Sequence, residues 1–317
     1  MTKTLLSTAA LAATLIPTPA FAAQSKRVMF ESGGERLVGD LYLPDAYQAG
    51  DKLPTVLVTG AWTTVKEQMP ARYAAELADR GYAALTFDFR GWGQSEGEPR
   101  SLEDPERKTQ DIVAAAEYLS TRPEVDADRI AGLGICASSG YMTDAAARSP
   151  HIRSLALVAP WLHNGEIVEA AYGGADAVET LLQTGRNSVG KGEMIEAASA
   201  TNEDSLMYQA PYYVDAERGA IPEWDNQFNL ASWEPWLTYD AVRLSSDINK
   251  AGVPVAIVHS EAAAIPSGAH QFYDALTVPK SELWLEDVGQ MDFYDRDDAV
   301  TTAAARVAAH FASDGEG

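Results

Sequence analysis

Cysteine is almost absent: Cys136 is the single one among 317 residues. An internal disulfide is thereby excluded, and the lone thiol is either an inert packing group or does chemistry. Basic residues are scarce as well. Lys and Arg number 24 against 46 Asp and Glu, a formal net charge of −22. That balance excludes nucleic acid as a partner, since phosphate binding needs a basic surface, and an anionic membrane repels it; the acidity serves solubility. Long apolar runs are missing. The longest, residues 5–16, is too short to span a bilayer, and no later segment is apolar enough. No cluster of His, Asp and Glu has metal-ligand spacing, so neither a metal nor another cofactor is expected.

What is there begins with a leader. Lys3 supplies the positive start, residues 5–16 the apolar stretch, and Ala20-Phe21-Ala22 a small-x-small cleavage site. Residues 1–22 therefore read as a signal peptide cleaved after Ala22, which makes the protein periplasmic or secreted. An uncleaved anchor is the other reading of the same run.

Beyond it, short β-branched runs alternate with helical patterns. Residues 28–30 and 37–43 read as an opening strand pair, and 55–59, 82–87, 130–135, 155–158, 255–258 and 283–285 as buried strands. Helical spacing lies between them at 72–80, 105–119 and 137–148, and closes the chain at 298–311. Such alternation predicts an α/β fold: a mostly parallel twisted sheet with helices on both faces. The alternation breaks over 165–249, which holds Tyr208, Tyr212, Tyr213, Trp224, Trp233 and Trp236. We expect a helical cap insertion there, over a core made of 23–164 and 250–317. Its rings form the cap's own small core or line an apolar pocket at the strand C-termini, where ligands bind in such sheets.

The central chemical signal is Gly134-Ile135-Cys136-Ala137-Ser138, between a strand and a helix. This is the order of a nucleophile elbow, G-x-nucleophile-x-G, with Cys for Ser and Ser138 for the second Gly. Small residues are needed on both sides because strand and helix approach closely. A helix N-terminus behind the sulfur favours thiolate, the reactive form. The plain alternative is a packing cysteine in a tight turn. The loop after the third strand, Thr59-Gly60-Ala61-Trp62-Thr63-Thr64, stands where one main-chain oxyanion donor belongs, from Trp62 or Thr63; Ala137 is the other.

Two further runs carry a family resemblance: Trp62-Thr63-Thr64-Val65-Lys66-Glu67-Gln68, and Phe87-Asp88-Phe89-Arg90-Gly91-Trp92-Gly93-Gln94-Ser95-Glu96-Gly97 followed by Pro99-Arg100. With the G-x-C-x-S elbow they resemble the dienelactone-hydrolase-like branch of the α/β-hydrolase superfamily, grouped with the fungal polyketide transferases. The resemblance covers nearly all of the chain after the leader. It implies the α/β-hydrolase fold and a Cys or Ser nucleophile acting on esters, lactones or thioesters.

The rest of the triad departs from that pattern. The loop expected to hold the base reads Val288-Gly289-Gln290-Met291-Asp292, so Gln290 takes the histidine position, and an amide is no base at neutral pH. The acid's loop offers only Glu261. Of five histidines, His310 falls on the closing helix, His151 in a loop at the far edge and His270 on the helix after Pro266. His259 reads as a satisfied core residue. His163, in Pro160-Trp161-Leu162-His163-Asn164, follows a neighbouring strand at the catalytic edge and is the candidate base; its alternative is a structural role at the cap hinge.

The sequence thus points to an exported hydrolase or acyl transferase for a small apolar acyl or lactone substrate, with Cys136 as nucleophile. The competing class is a degenerate small-molecule binding protein on a hydrolase scaffold. Neither substrate identity nor oligomeric state is legible.

Overall fold

The computed structural model describes residues 24–313. Residues 1–22, read above as a signal peptide, lie outside them. Eight strands form one sheet: β1 Gln24–Ser32, β2 Glu35–Leu43, β3 Leu53–Thr59, β4 Ala83–Phe87, β5 Val125–Ile135, β6 Ile152–Val158, β7 Val255–His259 and β8 Lys280–Trp284. Their spatial order is β1-β2-β4-β3-β5-β6-β7-β8. β1 and β2 are antiparallel, as are β2 and β4; every other pair is parallel. Helices cover both faces: α1 Met69–Ala78, α2 Pro105–Ser120, α3 Ser138–Arg148, α4 Ser245–Ala251, α5 Pro266–Ala275, the short α6 Asp292–Asp295 and α7 Asp297–Ser313.

The central strands are continuous apolar runs because both faces are covered. Val56, Leu57 and Val58 of β3, Leu133 and Ile135 of β5, and Leu155, Leu157 and Val158 of β6 are all fully buried. α2 opens where Asp104 accepts from the Glu106 and Arg107 amides, with Pro105 at the first helical position, where its missing N–H costs nothing.

Between β6 and β7 the chain leaves the sheet. This stretch carries helices Gly165–Ala171, Ala175–Ser188 and Trp233–Leu237 and two small two-stranded ladders, Met194–Glu196 with Gln227–Asn229 and Ala198–Ser199 with Met207–Tyr208. The ladders escape the sequence pattern because strands of two or three residues leave no periodicity. Of the six aromatic residues singled out, Tyr208 is exposed and the other five are buried.

Candidate functional site

Cys136 sits between β5 and α3 with φ of 56°, the left-handed region that a Cβ ordinarily disfavours. Such a residue costs on the order of 1–3 kcal/mol and persists only when its surroundings fix it. Here its N–H donates to Val158 C=O at 3.1 Å, and its C=O accepts from Ser139 and Trp161 N–H, both at 3.0 Å. Gly134 is required by contact: a Cβ there would stand 2.7 Å from Ser138 O and 2.8 Å from Ser139 Cα, both backbone. Ser138 is fully buried at the second small position.

The thiol is buried, and burial pushes it up to about 11 from its ordinary 9. Hydrogen bonds from the Tyr294 hydroxyl, the Ala137 amide and the Gln290 side chain oppose this without overcoming it. The expectation that the helix terminus would favour thiolate is therefore corrected. A helix N-terminus contributes about 0.3–1 kcal/mol, whereas a displacement from 9 to about 11 corresponds to on the order of 3 kcal/mol.

Gln290 lies beside Cys136 in the loop after β8. Its Nε2 donates to Ala159 O at 2.9 Å and to the Tyr294 hydroxyl at 3.1 Å, and its Oε1 accepts from Ala264 N–H at 3.0 Å. Tyr294, one helical turn further on in α6, touches the thiol, Gln290 and the Tyr213 hydroxyl of the cap. Reading the sequence missed Tyr294. Its only signal was the spacing of four from Gln290, which puts both on one face once the chain turns helical.

The remaining candidates are engaged elsewhere. His163 Nδ1 accepts from Trp161 Nε1 at 3.0 Å and its Nε2 donates to Trp236 O at 3.0 Å, so neither ring nitrogen is left for the thiol. Burial pushes this imidazole down to about 4, which keeps it neutral in that arrangement. Glu261 is largely exposed and pairs with His270 Nε2 at 2.8 Å, whose ring stacks on Trp284; it is not hydrogen-bonded to Gln290. His310 meets Ser154 Oγ at 3.0 Å on the closing helix. His259 is buried as expected, between the rings of Trp284 and Phe293, and its imidazole interacts with the Ala264 backbone.

The oxyanion loop is tied down at several points. Thr63, with φ of 62°, donates its N–H to Glu103 Oε2 at 2.9 Å, which leaves Trp62 rather than Thr63 as the loop's possible donor. Thr63 C=O accepts from Trp224 Nε1 at 2.6 Å, and Gln68 Nε2 donates to Gly219 O at 2.6 Å, so the cap is fastened to this loop twice. The two runs that carry the family resemblance meet in a buried ion pair. Lys66 Nζ stands 2.8 Å from Asp88 Oδ2, and Lys66 N–H donates to Asp88 Oδ1 at 2.9 Å. The F-D-F-R run is thus scaffold: Asp88 holds the loop, and Arg90 pairs with buried Asp111 at 2.6 Å.

Trp62, Trp161 and Trp236 close over Cys136 and Ala137, leaving a cavity of about 20 Å³. That volume holds about one water and no acyl group. His163 holds the Trp161 indole by a hydrogen bond and the Trp236 main chain by another, and its ring packs edge-on against the Trp236 indole at 4.6 Å between centroids. His163→Ala is accordingly expected to loosen the cage and speed alkylation of Cys136 by iodoacetamide at fixed pH. In both proteins the rate should climb about tenfold per pH unit toward pH 11, following the thiolate fraction. Slower alkylation confined to neutral pH in the variant would restore His163 as the base.

Among the described residues no group of three or more His, Cys, Asp or Glu could hold a metal ion, and no helix is long and apolar enough to cross a membrane. A family model described as X-Pro dipeptidyl-peptidase (S15 family) matches residues 33–289. The uncharacterized protein PA2218 of Pseudomonas aeruginosa is 28% identical over 284 residues, covering 84% of this chain and 75% of its own. Its crystal structure superposes with a TM-score of 0.78 at 24% identity, covering 95% and 99%. Polyketide transferase claH of Penicillium crustosum is 24% identical over 267 residues, 80% and 86% of the two chains. A thiohydrolase of Eupenicillium brefeldianum is 23% identical over 263 residues, 78% and 82%.

Proposed function

We propose, for a chain that belongs to the X-Pro dipeptidyl-peptidase (S15) family of α/β hydrolases, that Cys136 is the nucleophile of an acyl-transfer reaction on thioesters or activated esters. The observation that carries this is the strained left-handed backbone at Cys136, held by three hydrogen bonds in a strand-to-helix turn with the Ala137 amide on the sulfur. A packing cysteine has no use for that strain.

In this reading Sγ attacks the substrate carbonyl as the C=O electrons move onto oxygen, which the Trp62 and Ala137 amides receive. The thiol proton passes to the Tyr294 hydroxyl, which gives its own proton to the departing group as the carbon–leaving-group bond breaks. Water or a second nucleophile then attacks the acyl carbon, the carbon–sulfur bond breaks, and the nucleophile's proton returns to Sγ through the same Tyr294 hydroxyl. Gln290 positions Sγ and Tyr294 and takes no proton, because an amide cannot. The family's name describes peptide bond cleavage, but an amine leaves only when protonated. A thiol leaving group, with a pKa near 8.5, needs far less help in a site without a histidine base. The names of the two fungal relatives fit thioester chemistry. Export is part of the proposal; inside an oxidising compartment, burial protects the lone thiol.

The test is whether an N-acetylcysteamine thioester leaves its acyl group on Cys136, read as an increase in intact mass and mapped to the elbow peptide. A rival reading, a ligand-binding protein, draws on the raised thiol pKa and the closed indole cage. It predicts substrate binding with no mass increase at any pH up to 10.

A further inference from the structure

One buried carboxylate is not used by the chemistry above. Glu103 is fully buried, in the segment between β4 and α2. Its Oε2 accepts the Thr63 amide at 2.9 Å; its Oε1 accepts the Tyr141 hydroxyl at 2.8 Å and lies 2.6 Å from Lys108 Nζ. Its own N–H donates to Ser232 Oγ of the cap at 2.8 Å. Lys108 is as buried as its partner and is enclosed by the rings of Phe89, Trp92 and Tyr141, with its ammonium 4.7, 4.6 and 5.6 Å from their centroids.

A carboxylate and an ammonium taken wholly out of water gain little net stability over an apolar pair of the same volume. What this pair does is geometric. The Glu103 side chain joins the oxyanion loop through Thr63, the helix behind the nucleophile through Tyr141 on α3 and the start of α2 through Lys108, while its main-chain N–H ties the same residue to the cap at Ser232. Thr63 is held at positive φ, and the acceptor on its N–H fixes the Trp62–Thr63 peptide, which limits how the loop turns at Trp62 and so where the Trp62 amide can point.

We propose that Glu103 is the positioning residue of the oxyanion loop, fixing the Trp62 amide by accepting the Thr63 N–H, and that Lys108 is present to neutralise it. Without Lys108, a negative charge this close would oppose the developing oxyanion. The proposal rests on the acyl-transfer reading of Cys136.

The discriminating measurement compares two reactions of the same sulfur. Acyl transfer builds charge on a carbonyl oxygen and needs the oxyanion donors; alkylation by iodoacetamide builds none. In the charge-free pair Glu103→Met with Lys108→Met, the Thr63 amide loses its acceptor. Acylation of Cys136 by the N-acetylcysteamine thioester is expected to fall about 10²-fold, the size of losing one oxyanion donor, while alkylation at the same pH changes less than about threefold. Glu103→Gln with Lys108→Met keeps an acceptor and is expected to acylate within about fivefold of wild type. Should the methionine pair fail to melt cooperatively, Glu103→Asp serves instead: it retains the charge opposite Lys108 and withdraws the oxygen by one methylene, for a loss of about tenfold in acylation only. Equal losses in both reactions, or unchanged acylation in the variants lacking the acceptor, overturn the proposal. If wild type is never acylated, the reading of Cys136 falls and takes this inference with it. If wild type and only the Glu103 variants acylate alike, this inference alone fails.

Discussion

Cys136→Ser is expected to be as inactive as Cys136→Ala, with thioester turnover down by about 10³-fold or more in both. A serine hydroxyl needs a base to become a nucleophile, and in this site none is in reach. Gln290 is an amide, His163 is committed to Trp161 and Trp236, and Tyr294 is a phenol whose own ionisation burial pushes well above its ordinary range. A thiol attacks with less assistance, so sulfur and oxygen should differ far more here than in an enzyme with a histidine at the Gln290 position. Gln290→His on the Cys136→Ser background is expected to recover about tenfold or more of the lost rate, since Gln290 already touches the residue 136 side chain. The kinetics are read with the same thioester, and circular dichroism melts establish that each variant folds. Serine retaining a tenth or more of wild-type turnover would mean that a base operates after all.

The two buried histidines, His163 and His259, should together contribute close to two protons taken up on unfolding between pH 6.5 and 4. Burial holds both His163 and His259 near 4, against an ordinary 6.5. A neighbouring charge on His270 pushes His259 the same way, while Asp240 opposes the shift at His163. The unfolded chain therefore binds protons that the folded chain refuses. The histidine contribution to stability is full above pH 6.5, falls as pH drops through that window, and levels off near 4. Each ring is worth roughly 3 kcal/mol at the acid end. Two together rival the 5–15 kcal/mol total of an ordinary domain. Three carboxyls, Glu67, Asp111 and Asp144, are displaced upward by burial and act in the opposite direction. The measurement is thus a difference: urea unfolding of wild type and His259→Phe at pH 7, 5.5 and 4.5. The variant should lose about half of the histidine-linked slope. Parallel curves for the two proteins would show that His259 titrates normally.

The strands were legible because buried parallel strands must be apolar throughout, and runs such as Val56, Leu57 and Val58 have no other use. The elbow was legible because a close strand-to-helix approach demands Gly134 and a small Ser138, a local requirement written in adjacent letters. The loop after β8 was found in register, with Gln290 beside the sulfur. What the sequence hid was long-range pairing. Thr63 and Glu103 meet across 40 residues, and nothing in either neighbourhood marks Glu103 as buried rather than as one more acidic surface residue. The thiol's ionisation was misread for the same reason. The helix terminus is visible in the order of letters, but the desolvation that outweighs it comes from indoles at 62, 161 and 236, brought together by folding. His163 stood at the right edge of the sheet, yet partners at 161 and 236 claimed both of its nitrogens.

The 20 Å³ room beside the sulfur has a kinetic meaning. In the acyl-transfer reading proposed above, substrate would enter only a minor, open population, and the apparent dissociation constant would be the intrinsic one divided by that population's fraction. Were about one molecule in a hundred open, affinity would look about a hundredfold weaker than the contacts themselves provide. The same closure acts on the second half of the reaction. Once an acyl group is on sulfur and the indoles close behind the departed thiol, bulk water is a dilute reagent, and the lifetime of the thioester follows how often the cage parts. An acceptor that props the cage open as it binds then meets the acyl group ahead of solvent. In that reading, partition between transfer and hydrolysis would be set by the gate rather than by the intrinsic reactivity of the two nucleophiles.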